Sequence, residues 1–243
     1  MQFLVYGAGA VGSVLGGMLS VHRHHVCLVG RDAHVDAIAS DGLRIKSATA
    51  EYIAHPATSR TITNEVIAGC ECVVLAGKSQ DFASALDTVV PALAAELPVL
   101  CIQNGVASEK ACAGRVEKVY GAVIRMTCSM VQPGHVSFQT GGRVVVGRYP
   151  HGADVFARSV AAAITEAGLD AVVSKDIEAD KWLKVAVNVQ SVFHAVIDGR
   201  DHDTNEFQAL KVGILEETRR VFKAAKVRAQ CCDGRDPSIE EMI

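Results

Sequence analysis

The sequence shows no strong excess of either charge and no long apolar run. It contains 24 Lys and Arg against 27 Asp and Glu, and the formal net charge is −3. We therefore expect neither a basic surface for nucleic acid nor an acidic interaction tail. The apolar stretches are too short or too interrupted to cross a bilayer, and no leader with a basic start precedes the first strand pattern. These features predict a globular cytoplasmic protein without a nucleic-acid or membrane partner.

A zinc-type cysteine pattern is also missing, although the chain has eight cysteines. Cys70 and Cys72 are separated by one residue and Cys231 and Cys232 are adjacent, but neither pair has a second pair at the spacing of a zinc site. A disulfide framework is rare in cytosolic α/β proteins. We therefore predict no metal site and no disulfide framework.

What the sequence does contain is a glycine-rich turn at its start. Phe3 to Tyr6 have the length and composition of a strand, glycines follow at positions 7, 9 and 12, and apolar residues then recur at helical spacing. Gly7 permits a tight turn, Gly9 lets the backbone approach a pyrophosphate, and Gly12 lets the helix pack closely on the strand. A helix N-terminus here would also offer free N–H groups to phosphate. Rather than a plain tight turn, the pattern predicts dinucleotide binding by Gly7, Ala8, Gly9, Ala10, Val11 and Gly12.

The second strand pattern ends in two residues that bear on the choice of cofactor. The apolar run 26–29 leads into Gly30, Arg31 and Asp32. An acidic side chain at this point binds the ribose hydroxyl of NAD, whereas an arginine accommodates the 2′-phosphate of NADP. A guanidinium can bind a phosphate through two hydrogen bonds. Arg31 therefore favours NADP, and the alternative is an exposed loop arginine paired with Asp32.

Strand and helix patterns alternate through the first two thirds of the chain, and only helices are predicted after that. This alternation is typical of a mostly parallel sheet covered by helices. The predicted strands of this sheet cover 2–6, 26–30, 72–76, 98–102 and 118–124. We place an α/β dinucleotide-binding domain of the Rossmann type over 1–174. A smaller all-helical domain over 175–243 follows, with helices near 177–198 and 206–227.

Two segments depart from the alternation and are predicted to be antiparallel. Residues 35–60 contain a short hairpin insertion. Residues 127–149 contain three strand patterns separated by turns at Pro133–Gly134 and Gly141–Gly142, and the third of these strands is Val144–Val146.

Polar residues follow two of the predicted parallel strands. Lys78 comes shortly after the apolar run 73–76, and Asn104 comes shortly after the run 99–102. Ligands of open α/β sheets bind at the carboxyl ends of the strands, so we expect both residues to contact cofactor or substrate. The alternatives are a solvated lysine and a simple Asn-Gly turn.

The first helix of the predicted second domain carries a lysine and an asparagine on one face. Lys184 and Asn188 are four residues apart within an otherwise largely apolar segment. Buried polar side chains need partners, which favours a functional role for the pair. The alternative is that Lys184 extends to solvent and Asn188 caps a neighbouring loop.

Together, the glycine motif, Arg31, Lys78, the segment 103–106, and Lys184 with Asn188 resemble the ketopantoate reductase family in order and spacing. The resemblance implies a Rossmann domain followed by a helical domain similar to that of 6-phosphogluconate dehydrogenase, with the active site in the cleft. It implies reduction of 2-dehydropantoate to pantoate, a step of pantothenate synthesis. NADPH is then the expected cofactor and a small 2-keto acid the expected substrate.

The resemblance also assigns roles to particular residues. The loop from Gly7 to Gly12 would hold the pyrophosphate and Arg31 the 2′-phosphate, while Lys78 and Asn104 would line the nicotinamide side of the cleft. Lys184 matches the catalytic lysine of the family. The implied substrate-binding residues are Asn104, Asn188 and Ser238.

Two departures from the family pattern keep alternatives open. Val192 and Phe193 stand where the family has a second asparagine followed by proline, which favours a more apolar 2-keto acid. The helical part is also shorter than in the family, and its uncovered apolar faces predict a homodimer. The remaining alternative is a non-catalytic NADP-binding sensor or interaction protein derived from this reductase fold.

Overall fold

A computed structural model gives the structure of the protein and describes residues 1–139 and 143–243. The strands are β1 (Gln2–Tyr6), β2 (His25–Val29), β3 (Leu43–Lys46), β4 (Glu51–Ala54), β5 (Ala57–Ser59), β6 (Cys72–Leu75), β7 (Val99–Cys101), β8 (Val119–Ile124), β9 (Cys128–Gln132), β10 (His135–Phe138), β11 (Arg143–Arg148) and β12 (Asp170–Val173). The helices are α1 (Ala10–Val21), α2 (Asp32–Asp41), α3 (Asn64–Ile67), α4 (Phe82–Val89), α5 (Ala107–Ala113), α6 (Val155–Glu166), α7 (Ile177–Val189), α8 (Ser191–Val196), α9 (Asn205–Ala224) and α10 (Ile239–Met242).

The main sheet has the strand order β12-β11-β8-β7-β6-β1-β2-β5. Every neighbouring pair from β8 to β5 is parallel, β11 runs antiparallel to β8, and β12 is parallel to β11. All residues of β6, β7 and β8 are buried. Burial on both faces accounts for their continuous apolar composition. The predicted mostly parallel α/β sheet is confirmed.

A second sheet of order β4-β3-β10-β9 lies apart from the main sheet. The expected hairpin insertion is confirmed as β3 and β4, and β9 and β10 form the expected antiparallel pair around the Pro133–Gly134 turn. The third predicted strand, Val144–Val146, is confirmed as part of β11 and is antiparallel to a neighbour, but that neighbour is β8 of the main sheet and not β10. These three valines are fully buried in the main sheet, which favours that position. The expected Gly141–Gly142 turn lies outside the described residues.

The C-terminal region is helical, as predicted, but its first helix is not continuous. One helix over 177–198 is replaced by α7 and α8, which meet at Gln190. The burial of the two parts differs, since α7 buries Ile177, Leu183 and Ala186 whereas α8 has no buried residue. The second predicted helix is confirmed as α9, which begins after Thr204, whose hydroxyl accepts the N–H of Phe207. The division of the chain into 1–174 and 175–243 stays a prediction.

Neither a membrane span nor a metal-binding cluster occurs in the described part of the chain. None of its helices is both long enough and apolar enough to cross a bilayer. Within residues 1–139 and 143–243 there is also no group of three or more histidine, cysteine or carboxylate side chains that could hold a metal ion.

Candidate active site

Two glycines of the first loop are required by the packing of the protein itself. Gly7 has a φ of 106°, and a Cβ on it would lie 2.5 Å from the backbone nitrogen of Gly77. A Cβ on Gly12 would lie 2.4 Å from the carbonyl oxygen of Gly7. Both distances are far below van der Waals contact, so the loop, the start of α1 and the end of β6 are held together without side chains.

Gly9 is different because a Cβ there would meet almost nothing. The nearest heavy atom would be the Gly7 oxygen, 4.0 Å away. Gly9 is also the N-cap of α1, and no side chain caps this helix. The first-turn N–H groups of a helix lack intrahelical partners and carry the positive end of its dipole. The space that a side chain would fill is therefore a cradle suited to the phosphates of a dinucleotide.

This difference predicts opposite outcomes for two alanine substitutions. Gly9→Ala should leave the melting temperature near that of the wild type but weaken dinucleotide binding on the order of tenfold. Gly12→Ala should destabilise the fold by about 1–3 kcal/mol, because its methyl group overlaps the Gly7 carbonyl. Thermal unfolding and dinucleotide titration of both variants provide the comparison. Unchanged affinity in Gly9→Ala would contradict a phosphate cradle at this loop.

Arg31 lies at the end of β2, where the cofactor-selecting residue was predicted. It is exposed and is the N-cap of α2. The predicted alternative pairing with Asp32 does not occur among the described residues, because Asp32 lies 3.7 Å from the Nε of Arg60. Arg60 follows the adjacent strand β5 and donates to both oxygens of Asp36 at 2.8 Å. Arg60 was missed in the sequence because β5 has no clear strand pattern.

Lys78 and Asn104 lie at the carboxyl ends of the neighbouring strands β6 and β7. The two loops are joined, since the amide of Gln103 donates to the carbonyl oxygens of Leu75 at 2.7 Å and Gly77 at 3.1 Å. The side chains of Lys78 and Asn104 remain exposed. Because Gly77 also packs against Gly7, the structure brings the three predicted strand-end segments to one edge of the sheet.

A buried ion pair fixes helix α7 to this edge. Lys181 and Glu109 are almost fully buried, and Lys181 Nζ donates to the Glu109 carboxylate and, at 3.0 Å, to the carbonyl oxygen of Gln103. Burial raises the pKa of Glu109, and the attraction of Lys181 opposes that rise. Glu109 was not predicted from the sequence. The only sequence signal for this buried ion pair was Lys181, three residues before Lys184. The contact ties α7 to the loop that carries Asn104.

Lys184 lies one turn further along α7 than Lys181, with Asn188 one turn beyond. Both side chains are partly buried, and neither makes a hydrogen bond within the described part of the chain. Burial lowers the pKa of Lys184, Arg125 lowers it further, and Asp236 opposes the change. Asn188 therefore does not cap a neighbouring loop, and both polar groups remain available to a ligand.

Ser238 has a local structural task. It is the N-cap of α10, where its hydroxyl accepts the N–H of Glu241 at 3.2 Å and its own N–H donates to the Glu241 carboxylate at 2.8 Å. This reciprocal arrangement is a capping box. A substrate-binding role for Ser238 stays a prediction, as does the effect of Val192 and Phe193, which lie on the poorly buried helix α8.

Comparison with known proteins agrees with this arrangement. A family model described as ketopantoate reductase PanE/ApbA matches residues 3–151. The 2-dehydropantoate 2-reductase of Pyrococcus horikoshii is 31% identical over 221 residues, covering 89% of this chain and 72% of that protein. The chain spans 61 and 63% of two further relatives of the same name.

Solved structures show the same fold. A PanE/ApbA family ketopantoate reductase from Ralstonia eutropha JMP134 superposes with a TM-score of 0.82 at 29% identity, covering 95% of this chain and 77% of that one. D-mandelate dehydrogenase with NADH and anilino(oxo)acetate superposes with a TM-score of 0.83, covering 98% of this chain and 80% of that one. Its identity of 23% supports the fold alone. Both comparisons agree with a Rossmann-like fold for this chain.

Proposed function

The chain belongs to the ketopantoate reductase PanE/ApbA family, and we propose that it catalyses the NADPH-dependent reduction of 2-dehydropantoate, or of a related 2-keto acid, to the 2-hydroxy acid. The observation that carries the proposal is a continuous set of contacts from the glycine cradle to Lys184. Gly7 packs on Gly77, Gln103 binds the Gly77 carbonyl, and Lys181 binds the Gln103 carbonyl. Lys184 follows one helical turn later.

The proposed mechanism needs one proton donor beside the reacting carbonyl. The glycine loop and Arg31 would hold NADPH, which when bound would supply the hydride for the ketone carbon. The Lys184 ammonium stabilises the negative charge that develops on the carbonyl oxygen and then donates the proton. Burial favours this role, because a lysine with a lowered pKa releases its proton more readily than an exposed one. Asn188 and Asn104 supply amide groups that orient the polar groups of the substrate.

Two arginines support the preference for NADPH. Arg31 lies two residues after β2, and Arg60 directly follows the adjacent parallel strand β5. The N–H of Gly30 joins the two segments by donating to the Ser59 carbonyl at 3.1 Å. A phosphate on the adenosine ribose would therefore meet an arginine whose guanidinium makes no ion pair within the described residues. The neighbouring Asp32 and Asp36 are engaged by Arg60 and do not compete for Arg31.

This assignment predicts that Arg31→Ala changes cofactor preference. The variant should raise the KM for NADPH by about tenfold or more, because a charge-assisted hydrogen bond to phosphate is lost. The KM for NADH should change little, since NADH has no 2′-phosphate. Steady-state kinetics with both cofactors measures the ratio. An equal loss for the two cofactors would place Arg31 outside the 2′-phosphate site.

The whole proposal is tested by following the absorbance of NADPH with 2-dehydropantoate and with a panel of other 2-keto acids, with NADH as control. We expect turnover with 2-dehydropantoate or with a more apolar 2-keto acid. Turnover with only the more apolar 2-keto acid would assign the change in substrate preference to the region of Val192 and Phe193. Binding of NADPH without turnover across the panel would overturn the proposal and favour a non-catalytic dinucleotide-binding protein.

We also propose that two copies of the chain pair through the helical region. Exposed apolar side chains occur on α8 and α9, and they are Val192, Val196, Leu210 and Val221. Helices α8 and α9 pack against each other, and pairing of two copies would remove these apolar side chains from water. Sedimentation equilibrium should give the mass of a dimer, and a monomer at micromolar concentration would contradict this pairing.

A further inference from the structure

Two arginines lie side by side next to the proposed catalytic lysine. Arg125 follows β8 and Arg143 begins the antiparallel neighbour β11, and the N–H of Arg125 donates to the Arg143 carbonyl at 2.7 Å. Their side chains are only 14 and 7% exposed. Arg125 is close enough to Lys184 to lower the pKa of that lysine. Helix α7, which carries Lys184, packs against both β8 and β11, so the arginine pair lies near the proposed catalytic lysine.

A carboxylate from the C-terminal segment occupies the arginine pair. Asp236 Oδ2 forms an ion pair with Arg125, at 2.8 Å from its Nη2, and accepts a hydrogen bond from the Nη2 of Arg143. The Nη1 of Arg143 lies 3.0 Å from an Asp233 carboxylate oxygen, and its Nη2 donates to the Cys231 sulfur at 3.6 Å. Asp236 is the residue that bridges both guanidinium groups.

Asp236 does not use all the hydrogen-bond donors of the two arginines. Asp236 engages both arginines through a single oxygen, Oδ2. The Nε atoms of Arg125 and Arg143 are buried and have no hydrogen-bond partner among the described residues. Buried donors are normally satisfied, and an arginine binds a carboxylate best through two parallel hydrogen bonds. The two arginines therefore have free N–H donors for a carboxylate that presents both of its oxygens.

The segment that carries Asp236 is held mainly by its side chains. Residues 227–238 contain neither helix nor strand. The segment is anchored at its start, where the Gln230 N–H donates to the Ala179 carbonyl and the Cys232 N–H donates to Asp180. From Asp233 to Pro237, the backbone makes no hydrogen bond to described residues outside the segment. Moving Asp236 away would therefore break ion pairs but few backbone hydrogen bonds.

We propose that the pair Arg125 and Arg143 binds the carboxylate of the 2-keto acid substrate, and that Asp236 occupies this subsite until the substrate displaces it. The inference rests on the proposed function, because it names the group that orients that substrate. In a 2-keto acid the carboxylate is bonded directly to the carbonyl carbon. A carboxylate held by the arginine pair thus brings the carbonyl oxygen towards the Lys184 ammonium. Asp236 acts as an internal competitor for the substrate.

The test measures the binding of oxamate, a non-reducible analogue of a 2-keto acid, to the NADPH-saturated protein by titration calorimetry. Arg125→Gln should weaken oxamate binding by about tenfold or more. Arg125→Lys, which keeps the charge but not the planar fork, should give an intermediate loss. Asp236→Asn should strengthen binding several-fold. Arg158→Gln is the matched control, since Arg158 is exposed and donates to the Ala153 carbonyl.

Steady-state kinetics gives a second measurement, the ratio of two KM values, which would not change if Arg125 had only a structural role. Arg125→Gln should raise the KM for the 2-keto acid far more than the KM for its methyl ester, with folding confirmed by circular dichroism. Oxamate affinity that is unchanged in Arg125→Gln, or unchanged or weaker in Asp236→Asn, would overturn the inference. The inference would also be overturned if oxamate bound neither the wild type nor Asp236→Asn.

The outcomes separate this inference from the proposed function. Binding of oxamate that depends on Arg125, without reduction of any 2-keto acid, would overturn the function and leave the carboxylate site. Reduction of a 2-keto acid with a KM that Arg125→Gln does not change would overturn the carboxylate site and leave the function.

Discussion

Replacing Lys184 with alanine is expected to reduce kcat by about 10²–10⁴-fold or more, because the variant loses both the proton donor and the charge that stabilises the oxyanion. Dinucleotide affinity should stay near the wild-type value, since the glycine cradle lies on a different element. Stopped-flow or steady-state turnover, combined with NADPH titration, measures the two effects separately.

Lys184→Arg separates the two contributions of the ammonium group. Arginine keeps the positive charge but holds its proton too tightly to donate it, so the variant should recover only part of the lost activity. The control is Lys175→Ala, which removes an exposed lysine just before α7. Wild-type kcat in Lys184→Ala would remove Lys184 from the mechanism.

Replacing Lys181 with methionine is expected to have the largest effect on stability. The substitution leaves the Glu109 carboxylate fully buried without its cation and leaves the Gln103 carbonyl without its donor. Removal of one partner of a buried ion pair costs about 3–5 kcal/mol. Urea unfolding of the variant measures the loss of free energy of unfolding.

The double variant Lys181→Met with Glu109→Gln is the decisive companion. It contains no unpaired buried charge, so most of the lost stability should return, and a double-mutant cycle gives the coupling between the two residues. Additive losses would show that Lys181 and Glu109 do not act as a pair. The double variant should still have impaired turnover, because Lys181 also positions the loop that carries Asn104.

Much of the fold could be predicted from the sequence because its signals are local. The strand, glycine turn and helix from Phe3 to Leu19 are contiguous, and the patterns of most later strands and helices also lie within a few residues. The structure confirms the mostly parallel sheet and the helical C-terminal region. Lys78 and Asn104 could be expected at one sheet edge because parallel strands end together.

Other features depended on which strands become neighbours. The run Val144–Val146 has the same local pattern whether it joins a hairpin or the main sheet, and only competition for strand partners placed it beside β8. In the same way, the Ser238 hydroxyl caps helix α10, which begins at the next residue, Ile239. A sequence pattern alone does not distinguish these outcomes, since the alternatives satisfy the same local preferences.

The sequence by itself determined the glycine loop between β1 and α1, since the strand, the glycine turn and the helix are contiguous and each has a local signal. Only the tertiary structure decided the polar surroundings of Lys184. Lys181 and Glu109 are 72 residues apart, and Arg143 and Asp236 are 93 residues apart. Charged side chains at such separations carry no periodic signal, and they become partners only after the chain has brought their elements together and excluded water from between them.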